Sequence, residues 1–119
     1  MKKILIVDDN PDILELLSLI FDAEGYQILA TPTGFQLLEN VTKFYPDLIL
    51  LDIMLGEYDG RDLCNELKNS ALHKHIPILM LSASHGLYSL NEKRCHADGF
   101  MAKPFDVGNL IDKANSLVA

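Results

Sequence analysis

The chain is short of cysteine, of clustered basic residues and of long apolar runs, and each shortage removes a class of function. Only Cys64 and Cys95 occur among 119 residues, and no metal-ligand or redox-motif spacing links them. Both are read as reduced packing residues inside helices. No apolar stretch approaches the ~20 residues that a bilayer-crossing helix needs, so no membrane partner is expected. Met1-Lys2-Lys3-Ile4 opens like a secretion signal, but the apolar part ends after four residues, at Asp8-Asp9. A cytoplasmic location is therefore expected. Lys and Arg number 10 against 17 Asp and Glu, a formal net charge of −7. With no basic run to release counterions, direct nucleic-acid binding is not expected. Repeats, low-complexity tracts and linkers are also missing. With 49% hydrophobic and 23% charged residues, the composition fits one globular domain over residues 1–119.

Short apolar runs alternate with helix-period segments, which points to an α/β fold with a parallel sheet. Strand-like runs are expected at Lys3 to Asp8, Tyr26 to Ala30, Leu48 to Asp52, Ile78 to Ser82 and Gly99 to Ala102. Asn10-Pro11 supplies an N-cap and a first-turn proline, and Gly25 ends that first helix. Leu37, Leu38, Val41 and Phe44 mark a second helix and Leu63, Cys64 and Leu67 a third. A sparsely apolar fourth is expected from Leu87 to Cys95. The last carries Val107, Leu110, Ile111, Ala114, Leu117 and Val118. Residues Met54 to Gly60 read as a loop.

Chemistry-bearing residues stand where these strands end. Leu48-Ile49-Leu50-Leu51 closes on Asp52, and Ile4-Leu5-Ile6-Val7 runs into Asp8-Asp9. Ile78-Leu79-Met80-Leu81 ends at Ser82, and Lys103-Pro104 follows Gly99-Phe100-Met101-Ala102. A carboxylate at the end of a buried strand is costly unless a cation or a reaction keeps it there. In a parallel sheet joined by crossover helices, all strand C-termini share one edge, and ligands bind where strand order reverses. If the first and third strands are neighbours there, Asp8, Asp9 and Asp52 converge. Three acids, a hydroxyl and an amine on one edge look like an acidic metal site built for phosphoryl transfer.

The same pieces, in this order, resemble the receiver domain of two-component response regulators over essentially the whole chain. They are Ile6-Val7-Asp8-Asp9-Asn10, the run Pro46 to Met54, Asp59-Gly60, Leu81-Ser82-Ala83, Ala97-Asp98-Gly99-Phe100 and Lys103-Pro104-Phe105. The resemblance implies a flavodoxin-like, doubly wound sheet of five parallel strands, order 2-1-3-4-5, flanked by five helices. It implies that Asp52 accepts a phosphoryl group from a sensor histidine kinase or phosphotransfer protein, as a signalling step or phosphorelay. Asp8, Asp9, Asp52 and the backbone carbonyl of Met54 would hold Mg²⁺. Ser82 and Phe100 match the family's switch pair, and Lys103 its phosphate-contacting lysine, with a cis bond to Pro104. A downstream protein partner, or an output domain outside this sequence, would receive the signal. Such a domain promotes its own phosphorylation and dephosphorylation without being a turnover enzyme.

The charges make sense of that implied set. Two carboxylates about 4 Å apart repel by roughly 4 kcal/mol at an effective dielectric near 20. Mg²⁺ and Lys103 together supply three positive charges against three negative ones. An all-oxygen donor set suits Mg²⁺ and offers zinc no soft ligand.

Plainer readings exist for each residue. Asp8-Asp9-Asn10 suits a helix start, Asp52 a loop start, Ser82 a strand-end hydroxyl and Phe100 the core. His73, His75, His85 and His96 show no ligand spacing and are expected in solvent, while Glu57 and Tyr58, in the loop after Asp52, are candidates to shape access to it. Gly56 stands where the family usually has proline, predicting a more flexible loop. His96 replaces a usual helix-ending glycine, and serine replaces the commoner threonine at 82. The last helix lacks the arginines of the subgroup that dimerises through its last helices and strand, so that dimer is not expected. Two other functions compete. A phosphohydrolase would place a second Asp two residues after the nucleophile, where this chain has Met54. A pseudo-receiver would bind partners without phosphorylation, against which the complete acid set with Lys103 argues.

Overall fold

A computed structural model of the chain describes residues 1–83 and 95–118. Its centre is a five-stranded parallel sheet of β1 (Lys3–Val7), β2 (Gln27–Thr31), β3 (Leu48–Asp52), β6 (Ile78–Ala83) and β7 (Gly99–Lys103). The order is β2-β1-β3-β6-β7, as expected. Between β1 and β2 lies α1 (Pro11–Ala23), between β2 and β3 lies α2 (Leu37–Phe44), and α3 (Gly60–Lys68) precedes β6. The last helix, α4 (Val107–Val118), follows β7. The helix expected at Leu87 to Cys95 falls outside the described residues except for Cys95, which is not helical. None of the described helices is long and apolar enough to cross a membrane.

Alternation along the strands splits the core into two layers. Val7, Ile49, Leu51, Ile78 and Met80 pack with Leu37 and Val41 of α2 and Leu63, Cys64 and Leu67 of α3. Ile4, Ile6, Leu48, Leu50, Leu79 and Leu81 pack with Leu17 and Phe21 of α1 and Leu110 and Ala114 of α4. β3 is buried at all five positions, because it is central and covered on both faces. Each such side chain stabilises by about 1.5–3 kcal/mol through burial. The periodicity does not bury every apolar residue: Leu16 and Val107 are both 43% exposed.

Local chemistry sets the helix starts. Asn10 caps α1, its Oδ1 accepting from the N–H groups of Asp12 at 2.9 Å and Ile13 at 3.2 Å. Gly25 takes φ +88° just past the helix end, which any side chain would resist. Asp59 caps α3 by accepting from the Arg61 N–H at 2.9 Å.

Two expectations are corrected. Residues Met54 to Gly60 are not a simple loop: β4 (Met54–Leu55) and β5 (Tyr58–Asp59) pair antiparallel, with Leu55 opposite Tyr58. Gly56 at φ +64° is the first residue of the two-residue turn, where a II′ hairpin needs glycine. His73 is not in solvent but buried, with its Nδ1 2.9 Å from Ser70 Oγ and its Nε2 3.0 Å from Thr42 Oγ1. Thr42 gives its own proton to the Leu38 carbonyl, so it accepts from His73 Nε2–H, leaving Nδ1 to accept from Ser70. His75 and His96 are exposed as expected, and His85 lies outside the described residues.

Candidate functional site

The reversal of strand order falls between β1 and β3, and the acids meet there. Asp8 continues the parity of Ile4 and Ile6, and Asp52 that of Leu48 and Leu50, so both carboxylates leave the same sheet face. Asp8 is fully buried, Asp52 nearly so, and Asp9 is exposed. One oxygen from each of the three lies within 4.8 Å of the others. Lys103 reaches across from the end of β7. Its Nζ is 2.7 Å from Asp8 Oδ2 and 3.4 Å from Asp52 Oδ2. The Lys103–Pro104 peptide bond is cis.

The electrostatics show an undercompensated anion cluster. Burial, then the neighbouring Asp8 charge, push the Asp52 carboxyl up from 3.8 to about 6. Lys103 and the Met54 backbone N–H, which donates to the Asp52 carboxylate, pull the other way and do not win. One ammonium faces three carboxyl groups. The donors are all oxygen, clustered and short of positive charge, which fits a hard divalent cation such as Mg²⁺ and suits no soft metal. Asp8 also accepts from the Asn10 N–H at 3.0 Å, and Asn10, not Asp8, performs the helix cap.

α3 presses directly on the end of β3. The Gly60 N–H donates to the Ile53 carbonyl at 2.6 Å. A Cβ at Gly60 would collide with the Asp52 backbone carbonyl, so only glycine lets the helix approach this closely. Beside the acids an open cleft of about 400 Å³ is bordered by Asp9, Met54, Glu57, Tyr58 and Arg61 among others. Glu57 and Tyr58 thus border the site. Arg61 was not singled out in the sequence. Its guanidinium grips Asp59 through Nε at 2.9 Å and a terminal nitrogen at 2.6 Å. Its position two residues after the capping Asp59 was the available signal.

Ser82 stands near the same edge, and Phe100 lies near the start of β7. Ser82 is buried, one residue beyond Leu81, the partner of Asp52 in the β3–β6 ladder. Phe100 pairs with Met80 across β6 and β7 and is 42% exposed, so it is not a core residue here. Alternation puts both on the sheet face opposite the Asp52 carboxylate.

A family model for the response regulator receiver domain matches residues 4–115. Sporulation initiation phosphotransferase F of Bacillus subtilis is 38% identical over 93% of this chain and 89% of its own length. The DNA-binding dual master transcriptional regulator RpaA of Synechocystis is 34% identical over 99% of this chain and 49% of its own. The chain therefore spans about half the length of one curated relative and most of the other. The signal receiver domain of a signal transduction histidine kinase from Syntrophus aciditrophicus has 31% identity and a TM-score of 0.90. The match covers 99% of this chain and 90% of that one.

Proposed function

The chain belongs to the response regulator receiver domain family, and from that premise we propose that it is a cytoplasmic signalling switch whose phosphoacceptor is Asp52. The family serves two-component signalling as a switch, not as a turnover enzyme. The observation that carries the reading is the convergence of the Asp8, Asp9 and Asp52 carboxylates within 4.8 Å, with Lys103 across them.

The phosphoryl donor is a histidine kinase or phosphotransfer protein. An Asp52 carboxylate oxygen attacks phosphorus in line, the P–O bond forms as the P–N bond to histidine breaks, and the imidazole leaves. Asp8, Asp9, Asp52 and the Met54 carbonyl would hold Mg²⁺, which when bound would supply positive charge to the phosphoryl oxygens. Lys103 pairs with the same oxygens from the β7 side.

Acyl phosphate formation replaces a single negative charge by about two, taking the phosphate as a dianion. The surplus draws in donors. The Ser82 hydroxyl moves toward it and vacates space beside β7, into which the exposed Phe100 ring turns. That is a two-state change in which phosphate supplies the differential contact. The output is a protein partner or a further domain. Incubation with Mg²⁺ and a small acyl phosphate should add one phosphoryl group by intact mass, and Asp52→Asn should prevent it. A parent chain that stays unmodified would instead identify a pseudo-receiver that binds its partners without phosphate.

A further inference from the structure

Cys64 sits in α3 with no solvent exposure. Cys95 is half-buried and packs against the same apolar cluster from the segment entering β7. The two thiols lie close enough to influence each other's ionisation. Neighbouring bonds between the two segments hold that contact in register. The His96 N–H donates to Asn65 Oδ1 at 3.0 Å, and Asp98 pairs with Lys68 at 2.7 Å. Asp98 is in turn fixed to β6: it accepts from the Ile78 N–H at 2.8 Å and donates its own N–H to the Ile78 carbonyl at 2.9 Å. Residues 64, 65 and 68 thus meet 95, 96 and 98 in order, and this row holds the two segments side by side.

We propose that Cys64 and Cys95 are a redox modification site, forming a reversible intramolecular disulfide that ties α3 to the entry of β7. The oxidant class is a low-molecular-weight disulfide, for which glutathione disulfide serves as probe. Cys95, the solvent-reachable thiol, loses its proton and attacks one sulfur of the probe. The probe's S–S bond breaks, and the departing thiolate takes up a proton. Cys64, buried from solvent, then loses its proton and attacks the Cys95 sulfur, expelling the second small thiol. Two protein thiols are oxidised and one small disulfide is reduced to two thiols. Burial holds both thiols above their usual range, Cys64 at about 12, while the Ala97 backbone, the Cys64 thiol and Arg61 oppose this at Cys95. Thiolate is therefore scarce and the exchange slow. The disulfide requires nothing of the phosphoryl chemistry.

The full chain is equilibrated in oxidised and reduced glutathione, quenched with acid, alkylated and weighed intact. The expected product is a monomer lighter by two hydrogens that resists alkylation until dithiothreitol restores two reactive thiols. Because folding already juxtaposes the pair, its disulfide equilibrium constant should be at least about tenfold larger in buffer than in concentrated urea. Cys64→Ala should stop at a mixed disulfide on Cys95. Should that variant not fold, Cys95→Ala must leave Cys64 unmodified in the native chain. Only mixed adducts or intermolecular dimers from the parent, or an equilibrium constant no larger than in urea, would overturn the proposal.

Discussion

Replacing Asp52 by asparagine should stabilise the protein when divalent cations are removed. Burial and the Asp8 charge move the Asp52 carboxyl from 3.8 to about 6 in the folded chain, a change worth about 3 kcal/mol between its two protonation states. An unfolded chain titrates this group near 3.8, so between about pH 4 and 6 the folded state binds more protons. Folded stability therefore falls as pH rises through that window, and the whole penalty is present above it. A salt-bridged carboxylate with a lowered value would show the opposite sign. Asparagine carries no charge at any pH and escapes the penalty. Urea unfolding in EDTA should make Asp52→Asn more stable than the parent by about 3 kcal/mol at pH 8 and by less than about 1 kcal/mol near pH 4. Added Mg²⁺ should narrow the gap at pH 8 by stabilising the parent more than the variant. A variant less stable than the parent at pH 8 in EDTA, or a gap that ignores pH, would refute the reasoning.

Lys103→Ala should still accept a phosphoryl group but lose the conformational response. Amide exchange that changes on phosphorylation equally in variant and parent would remove the lysine from that role. Gly60→Ala drives a methyl into the Asp52 carbonyl and should cost about 1–3 kcal/mol in urea unfolding. It should also slow phosphoryl uptake by up to about 100-fold through displacement of the acceptor, and an unchanged rate would contradict this. His73→Ala leaves Ser70 and Thr42 without their shared partner and should lose about 1–3 kcal/mol. Phosphoryl uptake should be untouched, because the network lies at the opposite end of the sheet from Asp52.

The sheet order was legible through the family resemblance, and the meeting of Asp8, Asp9 and Asp52 followed from it, because parallel βα units put every strand C-terminus on one edge. Asp52 and Lys103 each close a strand, and Asp8 directly follows one. The β1–β3 register, with Ile4 beside Leu48 and Ile6 beside Leu50, then sends Asp8 and Asp52 to one face. Three features were not legible, for physical reasons. β4 and β5 have two residues each, too few for a period to show, although Gly56 carried the turn signal. His73 is buried by a partner 31 residues away, Thr42, and no local pattern encodes that contact. The Cys64–Cys95 contact likewise depends on the Asn65–His96 and Lys68–Asp98 bonds, which appear only when α3 and the approach to β7 are side by side. Phe100, which alternation alone would allow in the core, is exposed because β7 is an edge strand.

Position 52 is best interrogated by reducing the phosphorylated protein with borohydride, which converts an aspartyl phosphate to homoserine and marks the acceptor in a peptide map. Homoserine at position 52 alone is the expected result. Homoserine at Asp8, Asp9 or Asp59, or a phosphoryl group resistant to borohydride on the Ser82 hydroxyl, would contradict the assignment.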